Sequence, residues 1–300
     1  MPSAPVLDPA VPDDDVAAFL AVRPRLFGIA YRMLGSAAEA DDVVQDAWIR
    51  WQGTDRSVVA NPAAFLTTTT TRLAINALTS ARARRETYEG PWLPEPVDTS
   101  ADPTLGAERA EALDLAVLTL MEKLTPAERA AYVLREAFGY SHREVAELLE
   151  TSEANARQLA RRARLDLASD RVAPAPRQRQ RELVRAFVAA AREGRMDALE
   201  QLLARDVVMV NDGGGKVHAA RKPVVGSGPV MAVLRHAFAR WWPPADVDLD
   251  EVECNGAPAV CVRTHDGQAI GVLWFDADDE GGMRMMHTAV NPERLAHWHR

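Results

Sequence analysis

Apolar residues recur at helical spacing through the first half of the chain and alternate at strand spacing through much of the last third. Val16, Phe19, Leu20, Leu26, Phe27 and Ala30 fall on one stripe of an opening helix. Ser36 with Glu39 three residues on has the form of a capping box and predicts a second helix over roughly 37–51. Asn61-Pro62 joins an N-cap to a proline at the first helical position and predicts a third helix to about Tyr88. Thr67–Thr71 lie inside it, although β-branched side chains lose rotamer freedom in a helix, so packing must hold them there. Pro91, Pro94, Pro96 and Pro103 then forbid a helix. Trp92 and Leu93 sit among those prolines, which a mere spacer does not need, so this linker is expected to dock on something.

Helical spacing resumes at about residue 105. Thr125–Glu128 is a second capping box, Phe138-Gly139-Tyr140 breaks that helix, and Ser141–Glu144 is a third box opening a short helix over 141–150. Thr151-Ser152 makes a turn, with Ser152 as N-cap of a longer helix from Glu153 to about Ala168. Helices are predicted over 178–193, 196–204 and 228–241. Strands are predicted over 207–210, 216–220, 246–254, 259–264, 269–275 and 283–290. Asn255-Gly256, Asp266-Gly267 and Gly281-Gly282 are hairpin turns. The pattern describes two all-α modules followed by an α+β domain with a curved antiparallel sheet.

At 300 residues, the length fits two or three domains. The boundaries read as 12–89, a linker over 90–106, 107–172 and 177–300. Hydrophobic residues make up 47% and charged ones 26%, which excludes a disordered or collagen-like chain. No apolar run reaches the ~18–20 residues of a membrane span, and the acidic, proline-bearing start is unlike a secretory leader. A cytoplasmic protein is expected, with Cys254 and Cys261 as free thiols.

The net charge of −8 argues against nucleic acid as a partner until it is resolved by segment. Residues 1–55 carry four arginines against nine acids, a net of −5. Residues 152–181 carry eight arginines against three acids, a net of +5. Such segregation suits two unlike partners.

A short capped helix, a tight turn and an arginine-rich helix make a helix-turn-helix. The second helix of such a pair fits the DNA major groove with its N-terminal residues at the base edges. Here these are Asn155, Arg157 and Gln158, with Arg161 a turn further and Arg162 and Arg164 toward phosphates. A solvated basic face on an ordinary bundle helix is the alternative.

The stretches Leu124–Arg129 (LTPAER), Leu134–Ser141 (LREAFGYS), Glu144–Ala146 and Arg161–Arg164 together resemble region 4 of extracytoplasmic-function (ECF) sigma factors. Glu39–Arg50 (EADDVVQDAWIR) resembles region 2, and Asn61–Asn76 its promoter-melting helix. The resemblance implies a promoter-specificity subunit of bacterial RNA polymerase. It places Asp41, Asp42, Gln45, Asp46, Trp48 and Arg50 against the polymerase clamp helices, with region 4 on the flap. It places Arg72 and Asn76 at the −10 element and the Asn155–Arg164 set at the −35 element. Arg72 could equally pair with an acid inside the bundle, and the acids of the second helix could be a solvated face or, less readily, a metal site at Asp42 and Asp46.

The last domain is similar to SnoaL-like (NTF2-like) cones, and ECF sigma factors carrying such an extension form a subgroup marked by three motifs. Trp92-Leu93-Pro94-Glu95-Pro96 and Asp212-Gly213-Gly214-Gly215-Lys216 are intact here, and Asn291-Pro292 with Leu295 keeps the third in altered form. The subgroup's extension is taken to regulate the sigma core in cis, so Trp92-Leu93 is expected to pack near Asp212–Lys216. Cones also host enzymes, whose acid–base candidates here are Asp212, His218, Asp276 and His287, and a small-molecule ligand of this domain is a further expectation. His297 and His299 are a faint metal pair. No metal or other cofactor is required by the favoured reading. Its rivals are a repressor that acts without polymerase and a cyclase-like enzyme with an accessory helical domain.

Overall fold

The computed structural model describes residues 13–100, 115–170, 175–278, 281–296 and 298, so His297 and His299 lie outside the described residues. The chain forms two compact units, one from residues up to Ala83 with Met121–Ser169, the other from Arg84–Leu120 with Asp170 onward. Among the described residues no helix is long and apolar enough to cross a membrane.

In the first unit α1 spans Asp13–Leu34, α2 Ala37–Gln52 and α3 Pro62–Glu86. Gly35 takes a left-handed φ of 66°, and its N–H reaches the Tyr31 carbonyl at 2.7 Å, closing α1 before Ser36 caps α2. The Ser36 hydroxyl accepts the Glu39 N–H at 3.3 Å. The buried stripe of α2 is mostly small (Ala37, Ala40, Val43, Val44, Ala47), which lets α1 approach closely, and it ends on Trp51. Trp51 is 1% exposed among Phe19, Leu26, Val44 and Leu66, and its indole N–H is held by the Asp15 carbonyl at 3.2 Å. The threonine run of α3 is held by burial: Thr67, Thr69, Thr70 and Thr71 are all inside.

The same unit contains α5 (Pro126–Tyr132), α6 (His142–Leu148) and α7 (Glu153–Asp170); α4 (Leu115–Met121) leads into it. Thr125/Glu128 and Ser141/Glu144 both form complete capping boxes. A π-turn over Val133–Ala137 and the left-handed Gly139 (φ 70°) end the α5 segment. Two buried arginines join this part to α1. Arg129 Nε donates to the Arg32 carbonyl at 2.8 Å and its guanidinium also meets Glu122. Arg32 donates to the Gly28 carbonyl at 2.9 Å and lies over the Phe138 ring at 5.0 Å. Gly28 leaves that room, since a Cβ there would stand 2.9 Å from the Arg32 guanidinium.

In the second unit, α8 (Arg177–Arg192), α9 (Met196–Gln201) and α10 (Ser227–Arg240) join six strands: β1 Leu203–Asp212, β2 Val224–Val225, β3 Val247–Cys254, β4 Ala257–Thr264, β5 Ala269–Ala277 and β6 Met283–Ala289. Their order is β2-β1-β6-β5-β4-β3. The apolar face of α8 (Leu183, Val184, Phe187, Val188) packs with Met209, Phe238, Leu273 and Phe275 in one core. Asn255 (φ 52°) and Gly256 (φ 76°) supply the left-handed turn between β3 and β4.

Two strand expectations are corrected. The sheet is mixed, because β1 lies parallel to β6 while the other pairs are antiparallel. Lys216–Ala220 is no strand: β1 has β6 on one edge and β2 on the other, so the segment after the glycine turn cannot pair back onto the strand it follows.

Trp51→Ala is expected to lower the unfolding free energy of the first unit by about 3–5 kcal/mol, because a large ring and its packing are lost together. Urea unfolding followed by far-UV circular dichroism checks this.

Candidate functional site

Three surfaces carry the chemistry singled out in the sequence. On α7, Ala156, Ala160, Ala163 and Leu167 form the buried stripe, which turns Asn155, Arg157, Gln158, Arg161, Arg162 and Arg164 to solvent. Ser152 caps the helix, accepting the Asn155 N–H at 3.2 Å, and the Asn155 amide donates to Thr151 Oγ1 at 2.8 Å. Arg157 pairs with Glu153 at 2.8 Å and Arg164 with Glu136 at 2.5 Å. Exposed pairs of this kind are worth about 0–1 kcal/mol, so a phosphate can displace the carboxylate at little cost.

On α2, Asp42, Gln45, Asp46 and Arg50 are exposed on the side opposite the buried stripe. Asp41 is half-buried and pairs with Arg23 at 3.1 Å, while the Trp48 ring lies 4.8 Å from Phe19. Both therefore serve the bundle as well as its surface. Ile49, 56% exposed, adds an apolar spot to this acidic face. Arg72 and Asn76 are exposed on α3, and Arg72 pairs with Glu150 at 2.7 Å across the helices of the first unit. Among the described residues no group of three or more His, Cys, Asp or Glu is arranged to hold a metal ion.

The third surface lies inside the second unit, where the proline-rich segment is clamped to the sheet. Asp212 is wholly buried at the end of β1. One carboxylate oxygen accepts the Tyr88 hydroxyl at 2.5 Å, and the other accepts the Leu93 N–H at 3.0 Å and meets Arg294 at 3.3 Å. Arg294 also donates to the Leu93 carbonyl. Two guanidiniums lie over the Trp92 ring, Arg85 at 3.7 Å and Arg294 at 4.5 Å from its centre. Asn291 donates to the Tyr88 hydroxyl at 3.0 Å. Pro94, Glu95 and Pro96 are buried, and the Pro96 carbonyl accepts the Trp298 indole N–H at 2.7 Å. Beyond them the segment runs along the edge strand β3, with the Thr99 N–H on the Glu253 carbonyl at 2.8 Å and the Asn255 N–H on the Val97 carbonyl at 2.9 Å. That pairing covers an edge otherwise open to strand addition.

The three glycines have a steric cause. A Cβ on Gly214 (φ 55°) would stand 2.3 Å from the Asn291 amide and 2.7 Å from the Tyr88 hydroxyl; one on Gly215 (φ 69°) would stand 2.2 Å from Glu89. On Gly213 it would stand 2.7 Å from Ala219. Lys216, at the surface, pairs with Glu293 at 2.8 Å, and Pro292 is exposed while Leu295 is buried. Burial raises the Asp212 pKa despite Arg294 and the donors around it. Burial and Asp212 push the Tyr88 hydroxyl up to about 12. Tyr88, Arg85, Arg294 and Trp298 escaped the sequence reading, because their partners lie as far as 203 residues away and no spacing rule joins them.

The acid–base candidates do not converge. Asp212 is occupied by the linker, and buried His287 stacks on Trp274 at 5.1 Å with Asp276 3.5 Å away. His218 is exposed near Trp241 on the other face of the sheet.

Residues 18–84 match the Sigma-70 region 2 family and residues 114–167 match Sigma-70, region 4. The chain is 41% identical to the ECF RNA polymerase sigma factor SigJ of Mycobacterium tuberculosis, over 76% of this chain and 75% of that protein. It is 32% identical to the probable ECF RNA polymerase sigma factor SigI of the same organism, over 93% and 94%. The crystal structure of Mycobacterium tuberculosis SigJ superposes with a TM-score of 0.74 at 33% identity, covering 94% of this chain and 98% of that one.

A raised carboxyl pKa means the folded state holds its proton more tightly than the unfolded chain. Stability contributed by Asp212 is thus complete below its ordinary value of 3.8 and is lost as pH rises through the higher folded value. The unfolding free energy of the wild type minus that of Asp212→Asn should therefore fall as pH is raised from 3.5 to 7 in urea titrations.

Proposed function

The chain belongs to the ECF sigma factors, which bind core RNA polymerase and direct it to promoter DNA, and from that premise we propose how its surfaces divide the work. These proteins are transcription initiation factors rather than enzymes, and we place this one in the cytoplasm with the polymerase. The modules run over 12–89, 107–172 and 177–300, with the linker at 90–106.

The −35 element is read by Asn155, Arg157, Gln158 and Arg161, with Arg162 and Arg164 on phosphates. The observation that carries this reading is the exposure of these side chains on a helix whose alanine stripe is buried. An amide pair and guanidiniums suit adenine and guanine edges, and the arginines make binding salt-dependent. The acidic face of α2 docks on the polymerase clamp helices, supported by exposed Asp42, Gln45, Asp46 and Arg50 around Ile49. Charge complementarity of this kind sets orientation and association rate. Arg72 and Asn76 take the −10 element, which requires Arg72 to leave Glu150; the pair is exposed and cheap to break.

The C-terminal domain acts in cis through the linker. Trp92–Pro96 and the Asp212–Lys216 loop form the clamp, and Asn291, Pro292 and Leu295 are its support. A segment fastened at Tyr88, Leu93, Pro96 and Thr99 is not free to take a different course on the polymerase.

Arg162→Ala with Arg164→Ala should weaken promoter binding at all sequences and reduce the salt slope by roughly 1 per lost phosphate contact, as read by fluorescence anisotropy at several salt concentrations. Asp42→Arg with Asp46→Arg should lower capture of core polymerase by roughly tenfold or more while leaving −35 duplex binding intact. Trp92→Ala should change run-off transcription from a purified system at unaltered −35 affinity; unaltered output removes the linker from regulation.

A further inference from the structure

The inner face of the C-terminal sheet holds a cavity of about 530 Å³ between β1, β6, α10 and the coil after the glycine turn. That volume suits a small organic molecule. Its walls are largely apolar, with Val233, Trp241, Trp242 and Ile270 among them. Besides His218 and His236 beside Trp241, two polar side chains on the sheet break the apolar lining. Asn211 on β1 is 5% exposed and Thr288 on β6 is 1% exposed, and both line the cavity. Asn211 Nδ2 and Thr288 Oγ1 have no hydrogen-bond partner within the protein. They are neighbours, because β1 and β6 run parallel with Asn211 in register with Thr288.

Strand alternation explains why the linker clamp leaves them alone. Asp212 follows Asn211, so it points to the opposite face, where the linker satisfies it. Buried polar groups are almost always satisfied, and a pair left open on one wall of a largely apolar cavity marks where a guest's polar atom goes. The Asn211 amide is a donor and the Thr288 hydroxyl can donate, so the complementary group is an acceptor. The tryptophan at the rim lies between two imidazoles, with His236 at 4.8 Å and His218 at 5.9 Å from Trp241, giving a wall of flat rings.

We propose that this cavity binds a flat, mostly apolar small molecule through a carbonyl oxygen set against Asn211 and Thr288. The site shares no residue with those assigned to DNA and polymerase, so its test uses the full chain without either and fails or holds independently of the sigma-factor reading.

The probe is 6-acetyl-2-dimethylaminonaphthalene, a two-ring ketone whose emission moves to the blue in apolar surroundings, with 2-dimethylaminonaphthalene as the carbonyl-free control. Saturable binding is expected, with the ketone preferred by roughly tenfold, as two added hydrogen bonds allow. Asn211→Leu and Thr288→Val should each erase most of that preference without weakening the control compound. Neither should lower the melting temperature of the empty protein, because each replaces an unsatisfied polar group by an apolar one of similar shape. Val233→Trp should exclude both compounds. If Val233→Trp does not fold, the two polar variants decide the matter between them. Absence of saturable binding, equal affinity for ketone and control in the wild type, or a ketone preference that survives both polar substitutions overturns the proposal.

Discussion

A buried carboxylate needs partners, and the C-terminal unit is arranged around that requirement at Asp212. Leaving such a group without donors is costly, so a hydroxyl, a backbone N–H and a guanidinium are brought to it from Tyr88, Leu93 and Arg294. Two of the three come from the segment that joins the helical modules. The charge that must be satisfied for the β1 end to exist is thereby the charge that holds the linker. Around it the glycines supply clearance: with left-handed backbone at Gly214 and Gly215 and no Cβ, Asn291, Tyr88 and Glu89 can close in. The linker's prolines leave few N–H groups to satisfy, which suits a segment buried without helix or full strand pairing.

The helical unit solves a related problem with positive charge. Arg32 and Arg129 are buried between α1 and the α5 segment, where carbonyls, Glu122 and the Phe138 ring receive them. The arginines of α7 stay outside, because the alanines of that helix take the inward positions. The same residue type thus serves two ends. Inside it is fixed by directional bonds; outside it is held by weak exposed pairs and remains available to phosphates. The acidic face of α2 follows the same rule, with Asp41 and Trp48 engaged by the bundle and Asp42 and Asp46 free of its stripe.

Much of this was legible in advance where the cause is local. Capping residues at Ser36, Asn61, Thr125, Ser141 and Ser152 announced helix starts within a residue or two. Asn255-Gly256 announced its hairpin through the backbone conformation that only such residues adopt easily. The misread segment, Lys216–Ala220, alternates like a strand yet finds both edges of β1 taken, and edge availability belongs to the whole sheet. The β1–β6 pairing escaped for the same reason, since parallel neighbours are set by topology and not by alternation. In the clamp, the motif residues were visible, whereas Tyr88, Arg85 and Arg294 were ordinary side chains until folding brought them to Trp92 and Asp212.

The amino-acid order alone determined the helices, their caps, the opposite charges of the two ends of the sigma core and the order of the modules, because each depends on neighbours within a few residues. Tertiary structure alone decided which charges are buried and by what they are answered, that the linker lies against β1 and β3, and that Asn211 and Thr288 stand side by side on a cavity wall. These depend on groups far apart in sequence meeting in a medium without water, where a partner's position matters as much as its identity.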